Sequence, residues 1–230
     1  MKIAYTGLNL PQGKIKYNDA IFVGLVEKFQ PIKVSPYYFE FLPGNYETAD
    51  VIAISKESVL DLLILDIEKT ETRLSRTENL TEKKVLEKCL VQLEDQKPVC
   101  DLLLDKTERA IVKALGLLSF RPTLVYRDTA PNANVVCRDA MEKAGIMFFY
   151  TVGKQEVHAW LVEKHAAAAS CAERIHSDLA RGFIKAELLS CEDMMRVHNM
   201  HEARTRNLTR LVDRDYVVPV NSILDIRFNV

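Results

Sequence analysis

A chain of 230 residues with 48% hydrophobic and 27% charged side chains is composed like an ordinary globular protein and is long enough to bury a core in one or two domains. Its formal net charge of -1 supplies no overall basic field, which excludes bulk attraction to nucleic acid and leaves only local patches for such a partner. The cysteines at 89, 100, 137, 171 and 191 are odd in number and scattered, with no C-x-x-C pair, so they argue against a disulfide framework or zinc site and for buried, reduced thiols.

Met1-Lys2-Ile3-Ala4-Tyr5 reads as a strand rather than a signal peptide, and no apolar run approaches the ~20 residues that cross a bilayer. A cytoplasmic protein is expected, with no membrane contact and no DNA partner. The strand ends at Gly7, and a helix-like stretch from Asn18 to Lys28 follows the segment that carries Gly13 and Lys14. Strand, glycine loop and helix are the setting of a phosphate-binding loop, in which backbone N–H groups cradle phosphates, a lysine reaches the outer ones and a hydroxyl ligates magnesium. Here five residues separate Gly7 from Gly13 where the motif has four, and Ile15 stands where the hydroxyl belongs. Gly7, Gly13 and Lys14 are the nucleotide-binding candidates, for ATP or GTP without magnesium; the alternative is that the glycines shape a strand-to-helix turn and Lys14 is solvated.

Ile32–Tyr38 and Val51–Ser55 read as strands around the turn Phe41-Leu42-Pro43-Gly44-Asn45, and no D-x-x-G follows to hold magnesium. From Val59 to Gln96 the pattern is helical. Leu60, Leu63, Ile64, Ile67 and Leu74 form one apolar stripe and Val85, Leu86, Cys89, Leu90 and Leu93 a second, with a polar turn between them and Thr81 as N-cap, which predicts an antiparallel hairpin. Glu68, Lys69, Glu71 and Arg73 read as its solvated face, and the projecting hairpin can dock a protein partner. Asp105-Lys106-Thr107-Glu108 has the form of a capping box, Gly116 of a C-cap, and Pro122–Tyr126 of a strand. Ala130–Asn134 is the candidate linker, and Cys137–Ala144 a short helix entering the last domain.

In the last third, strands are expected at Phe148–Gly153, Val157–Val162, Ile184–Leu189, Tyr216–Val220 and Ile223–Phe228, a helical turn within Ala166–Asp178 and a helix within Cys191–Arg206. His176 and Asp178 lack a neighbouring nucleophile, and His198 with His201, three apart, lacks a third metal ligand. Arg196, Arg204, Arg206 and Arg210 form the densest basic cluster, diluted by Glu192, Asp193 and Glu202, so it is either a phosphate-binding surface or a solvated face. Phe183 and Lys185 could pair base stacking with a phosphate contact, unless Phe183 points into the core.

The series Phe148–Gly153, Glu156-Val157-His158-Ala159-Trp160, His176-Ser177-Asp178, Gly182–Glu187, Arg214–Val218 and Arg227–Val230 resembles the carboxy-terminal TGS-type domain of YchF-like P-loop NTPases. Leu63–Glu68, Arg73-Leu74, Leu93-Glu94 and Lys97-Pro98 resemble, in the right order, that family's coiled-coil insertion. The resemblance implies an α/β plus α+β protein: a reduced P-loop-like parallel-sheet domain over 1–146 with the hairpin 59–97 inserted, then a β-grasp TGS-like domain over 147–230. It also shows departures. Fewer than fifty residues stand where both switch regions belong, Arg127-Asp128-Thr129 replaces the asparagine-bearing base-recognition loop, and Ala166–Ser170 and Pro219–Ser222 replace two turns. Asn221 can still take a left-handed turn. The implied function is non-catalytic binding of ribosome-associated RNA or a regulatory protein, with His176, Phe183, Lys185, Arg204, Arg206 and Arg210 as contact candidates. Two alternatives stay open: a nucleotide-binding protein with weak ATPase or GTPase activity through the modified loop, and a front domain that serves as a dimerisation surface.

Overall fold

The computed structural model describes residues 1–229. In chain order it contains β1 (Lys2–Thr6), β2 (Gly13–Lys16), α1 (Ala20–Phe29), β3 (Lys33–Ser35), β4 (Tyr38–Pro43), β5 (Val51–Ser55), α2 (Val59–Leu74) and α3 (Leu80–Glu94). Then come α4 (Lys106–Leu115), β6 (Thr123–Tyr126), α5 (Ala133–Ala144), β7 (Ile146–Val152), β8 (Glu156–Glu163), α6 (Ala168–Ile175), α7 (Ser177–Arg181), β9 (Phe183–Ser190), α8 (Cys191–Arg196), α9 (Met200–Thr205), β10 (Arg210–Val212) and β11 (Ser222–Phe228).

The chain forms two compact units, one of Met1–Ile15 with Phe39–Ala144 and one of Lys16–Tyr38 with Gly145–Val230. This differs from the expected division at 146/147, because α1 and β3 belong with the carboxy-terminal residues. The cause is local: β3 pairs in parallel with β8, α1 buries Phe22 and Leu25, and the Asp19 carboxylate that caps α1 also accepts from the Tyr150 hydroxyl.

The first unit holds a sheet ordered β2-β4-β1-β5-β6, with β1 parallel to β4 and β5, and β5 parallel to β6. Parallel strands are stable when both faces are covered, and β5 is buried at every position. Helices α2 and α3 pack against one another and put Leu63, Val85, Cys89 and Leu93 with Ile52 and Ile54 into one core. The cap of α3 is Asn79 rather than Thr81: its Oδ1 accepts from the N–H groups of Thr81 and Glu82 at 2.9 and 3.1 Å. The capping box of α4 forms as its sequence dictates, and Gly116 ends the helix at φ 67°. Asp66 of α2 is 1% exposed and accepts from the backbone N–H groups of Leu118 and Ser119 at 2.7 and 2.8 Å, tying α2 to a short 3-10 turn ahead of β6.

The second unit holds a mixed sheet ordered β10-β9-β11-β7-β8-β3. Neighbours are antiparallel for β10/β9, β9/β11 and β7/β8, and parallel for β11/β7 and β8/β3. The alanines of α6 let it lie close on one face, where Ala168 and Cys171 join Phe149, Ala186 and Leu224. The region expected to hold one helical turn holds α6 and α7, and the helix expected across 191–206 is split into α8 and α9, the latter capped by Asn199. Tyr216–Val220 is not a strand; only a single bridge, Ala167 to Val217, forms there, and Pro219 has no N–H to extend it. Asn221 does adopt the left-handed conformation, at φ 55°. Burial pushes the thiol of Cys89 up to about 11 and those of Cys137, Cys171 and Cys191 to about 12, so they stay protonated and serve as packing groups.

Replacing Asp66 with alanine strands the buried N–H of Ser119 and the part-buried N–H of Leu118, and should lower unfolding free energy by about 2–4 kcal/mol in a urea titration. Asp66→Asn, which keeps one acceptor, should lose less than half of that.

Candidate nucleic-acid interface

The loop behind β1 differs from the expected strand-loop-helix. Gly13-Lys14-Ile15-Lys16 alternates polar and apolar residues, and accordingly forms β2, an edge strand with both lysines exposed. The next helix, α1, starts only at Ala20 and lies in the other unit. Within the loop Leu8 and Leu10 are both 8% exposed, and the N–H of Asn9 is spent on the Thr129 carbonyl at 2.6 Å. A phosphate cradle needs open, convergent N–H groups at a helix amino terminus; this loop is anchored by apolar side chains and leads into a strand. Gly7 has a tertiary reason to be glycine. At φ 69°, an added Cβ would sit 2.3 Å from Ser55 Oγ and 2.5 Å from Ser58 Oγ. Gly13, at φ 93°, faces open space.

The second unit carries the other six candidates, and the structure disperses them. His176 caps α7, its Nδ1 accepting from the Asp178 N–H at 3.1 Å. Phe183 is half-buried against the α6 face, beside a register shift between Arg227 and Phe228, so it is not the partner of Lys185. Arg206 pairs with Glu202 at 2.5 Å, one helical turn away. The Arg210 guanidinium lies 4.9 Å from the Tyr216 ring centroid. His198 and His201 do not converge with further ligands: among the described residues no set of three or more His, Cys, Asp and Glu could hold a metal ion.

Lys185 and Arg204 lie near the same stretch of sheet, each paired with its own carboxylate. On β9 and β11, Lys185 stands opposite Arg227, and Glu187 opposite Asp225, on one face of the sheet. Glu187 is 2% exposed and receives Arg204 Nε at 2.9 Å on both oxygens, Arg204 Nη2 at 2.7 Å and Arg227 Nη2 at 3.4 Å. Arg204 also reaches Asp225 at 3.3 Å, and Lys185 pairs with Asp213 at 2.7 Å. Two arginines thus hold a sunken anion, with about half of the surface of Arg204 and Arg227 left to solvent. Sequence reasoning missed Glu187 and Arg227; the alternation Lys-x-Glu on one strand facing Asp-x-Arg on its neighbour was the available signal.

The Arg204 guanidinium, with smaller help from Thr209 and Arg227, holds the Glu187 carboxyl below its usual value against the opposing cost of burial. A carboxyl depressed in the folded state adds stability that is complete above its unfolded pKa of about 4.3 and is lost as pH falls through the folded value. Thermal melts should therefore show the midpoint falling below about pH 4, more steeply for the native chain than for Glu187→Gln, which starts lower at pH 7. For the front loop, Gly7→Ala should cost about 2–3 kcal/mol and Gly13→Ala about 1 kcal/mol in urea unfolding, since only the first adds a collision to the left-handed strain.

Residues 146–229 match the family model YchF-GTPase_C, described as a protein of unknown function (DUF933). The ribosome-binding ATPase YchF of Bacillus subtilis is 27% identical over 237 aligned residues, spanning 74% of this chain and 65% of that protein. The Mycoplasma pneumoniae protein of the same name is 36% identical over 114 residues, 50% of this chain and 31% of its own length. The chain thus spans less than two thirds of these relatives. The structure of the Schizosaccharomyces pombe YchF GTPase superposes with a TM-score of 0.79 at 14% identity, covering 99% of this chain and 97% of that one, which shows a shared fold. Residues 146–229 thus correspond to the carboxy-terminal domain of the YchF-like family, and the chain as a whole is similar to YchF proteins in sequence and shares their fold.

Proposed function

We propose that this protein is a non-catalytic, ribosome-binding member of its family, in which the second unit, read as a β-grasp TGS-like domain, makes the contact with RNA. The observation that carries the reading is the contrast between its ends: the loop of Gly7, Gly13 and Lys14 is packed by Leu8 and Leu10 and continues as a strand, while residues 146–229 match the family's carboxy-terminal model despite two replaced turns. The relatives' name, ribosome-binding ATPase, supports a ribosomal partner. In this reading the first unit is a reduced P-loop-like domain, the α2–α3 hairpin corresponds to the coiled-coil insertion, and the protein acts in the cytoplasm. Lys185, Arg204 and Arg227 are the group that meets phosphates, with Arg206 and Arg210 at its margins.

That same name keeps one competing reading in view, a weak ATPase or GTPase acting through Lys14. A regulatory protein held by the hairpin would be a third.

Co-sedimentation with purified ribosomes separates them. Binding should be present without nucleotide, weaken with salt, and fall about tenfold in a Lys185→Ala/Arg227→Ala variant, whose salt slope drops by about 2. Binding that requires ATP or GTP, or that is untouched by the double variant, would refute the assignment.

A further inference from the structure

Ion pairs neutralise cations on α2, α3, α5 and α8, but not on the outward side of α4. The exposed residues of that helix are Lys106, Thr107, Arg109, Ala110, Lys113 and Ala114. Lys106, Arg109 and Lys113 are spaced three and four apart, so they share one side of the helix over about 10 Å. The side chains of Lys106 and Lys113 meet no carboxylate among the described residues, and the Arg109 guanidinium carbon lies 5.8 Å from the centroid of the Phe120 ring. The acids at this end of the helix are engaged elsewhere: Asp105 accepts from the N–H groups of Thr107 and Glu108 at 2.8 and 2.9 Å, and Glu108 is held by Lys88 at 3.2 Å.

Helix stability does not account for this stripe. Lys113, in the last turn, suits the negative end of the helix dipole, but Lys106 stands at the first helical position, where a cation opposes the positive end. A protein partner is a poor fit as well. Between the cations the exposed surface is Thr107, Ala110 and Ala114, with no aromatic or long apolar side chain, whereas protein interfaces centre on such groups and are depleted in lysine. Nucleic-acid interfaces are polar and strongly positive. The surface continues past the end of α4, where Lys69 of α2 donates to the Gly116 carbonyl at 2.9 Å. There Lys69, Thr72, Arg76 and Leu115 line a shallow hollow, with Glu68 the carboxylate on its wall.

We propose that the outward side of α4, with Lys69 and Arg76 beyond its end, is an auxiliary foothold for the phosphate backbone of RNA. The stripe itself calls for a polyanion; the choice of RNA over DNA rests on the ribosomal partner proposed above. Contacts of this kind position a nucleic acid without reading its sequence, and they weaken steeply with salt because each releases a counterion. The first unit contributes this contact as a scaffold does, with no nucleotide chemistry, and the face around Glu187 remains the principal one.

The test is fluorescence anisotropy of the full chain with a labelled RNA duplex of about 16 base pairs and mixed sequence, at roughly 50–200 mM salt. Lys106→Gln/Lys113→Gln should weaken binding about fivefold and lower the slope of log affinity against log salt by about 2, while the charge-matched Lys83→Gln/Lys84→Gln on α3 moves the slope by less than half as much. Lys106→Glu should weaken binding and yet raise the melting midpoint, since an acid suits the start of a helix; a lysine kept for stability alone would move only the midpoint. Equal losses in the two double variants, no saturable binding at the lowest salt, or displacement of the duplex by polyglutamate as readily as by unlabelled RNA overturns the proposal. Duplex binding with the expected sensitivities in a chain that fails to sediment with ribosomes would uphold the α4 surface and refute the ribosomal reading, so the two fail separately.

Discussion

The burial of Leu8 and Leu10 is the constraint on which the reading of this molecule turns. Two leucines removed from water on either side of Asn9 stabilise the loop by about 3–5 kcal/mol together, by the usual value of a buried aliphatic side chain. In the proposed reading, a loop held down in this way is a connector. Phosphates need a ring of unoccupied N–H groups facing solvent, and to open one here the leucines would have to be exposed and Asn9 detached from Thr129. The glycine left at position 7 answers to Ser55 and Ser58 instead of to a ligand.

Charge is organised on a different principle in the second unit. Each arginine of the basic cluster has a near neighbour of opposite sign or an aromatic ring, so the surface produces little long-range field, in keeping with a net charge near zero. Glu187 is the pivot. A carboxylate this deeply buried is tolerated because Arg204 meets it with both nitrogens of its fork, and that arrangement fixes α9 against the middle of the sheet. Arg204 is consequently held in place, and a cation so held loses less entropy on meeting a phosphate than one that swings freely on an open surface.

How much of this was legible in the sequence depends on the range of the interaction concerned. Local grammar was readable: the Asp105–Glu108 capping box, Gly116 at the end of its helix, the left-handed Asn221, and the pair of helices over 59–94 with their apolar stripes. What depended on distant residues was not. Gly13–Lys16 is four residues long, and its period of two was masked by the expectation of a glycine loop before a helix. Residues 18–35 read as part of the front domain because nothing in them announces Tyr150 and β8, more than a hundred positions away, as their partners. Tyr216–Val220 had the composition of a strand and lacked the N–H at Pro219 that a strand would need. The sheet face around Glu187 was hidden because its register sets 185 against 227 and 187 against 225, a fact that no single strand states.

The account's central claim is that the front of the molecule has become scaffold while the rear does the binding. Isothermal titration of the purified protein with ATP and GTP, each with and without magnesium, tests it most directly. The account predicts no magnesium-dependent binding of either nucleotide. Saturable binding that requires magnesium and disappears in Lys14→Ala would contradict it, and would mean that the loop between β1 and β2 opens in solution to do what its packing here opposes.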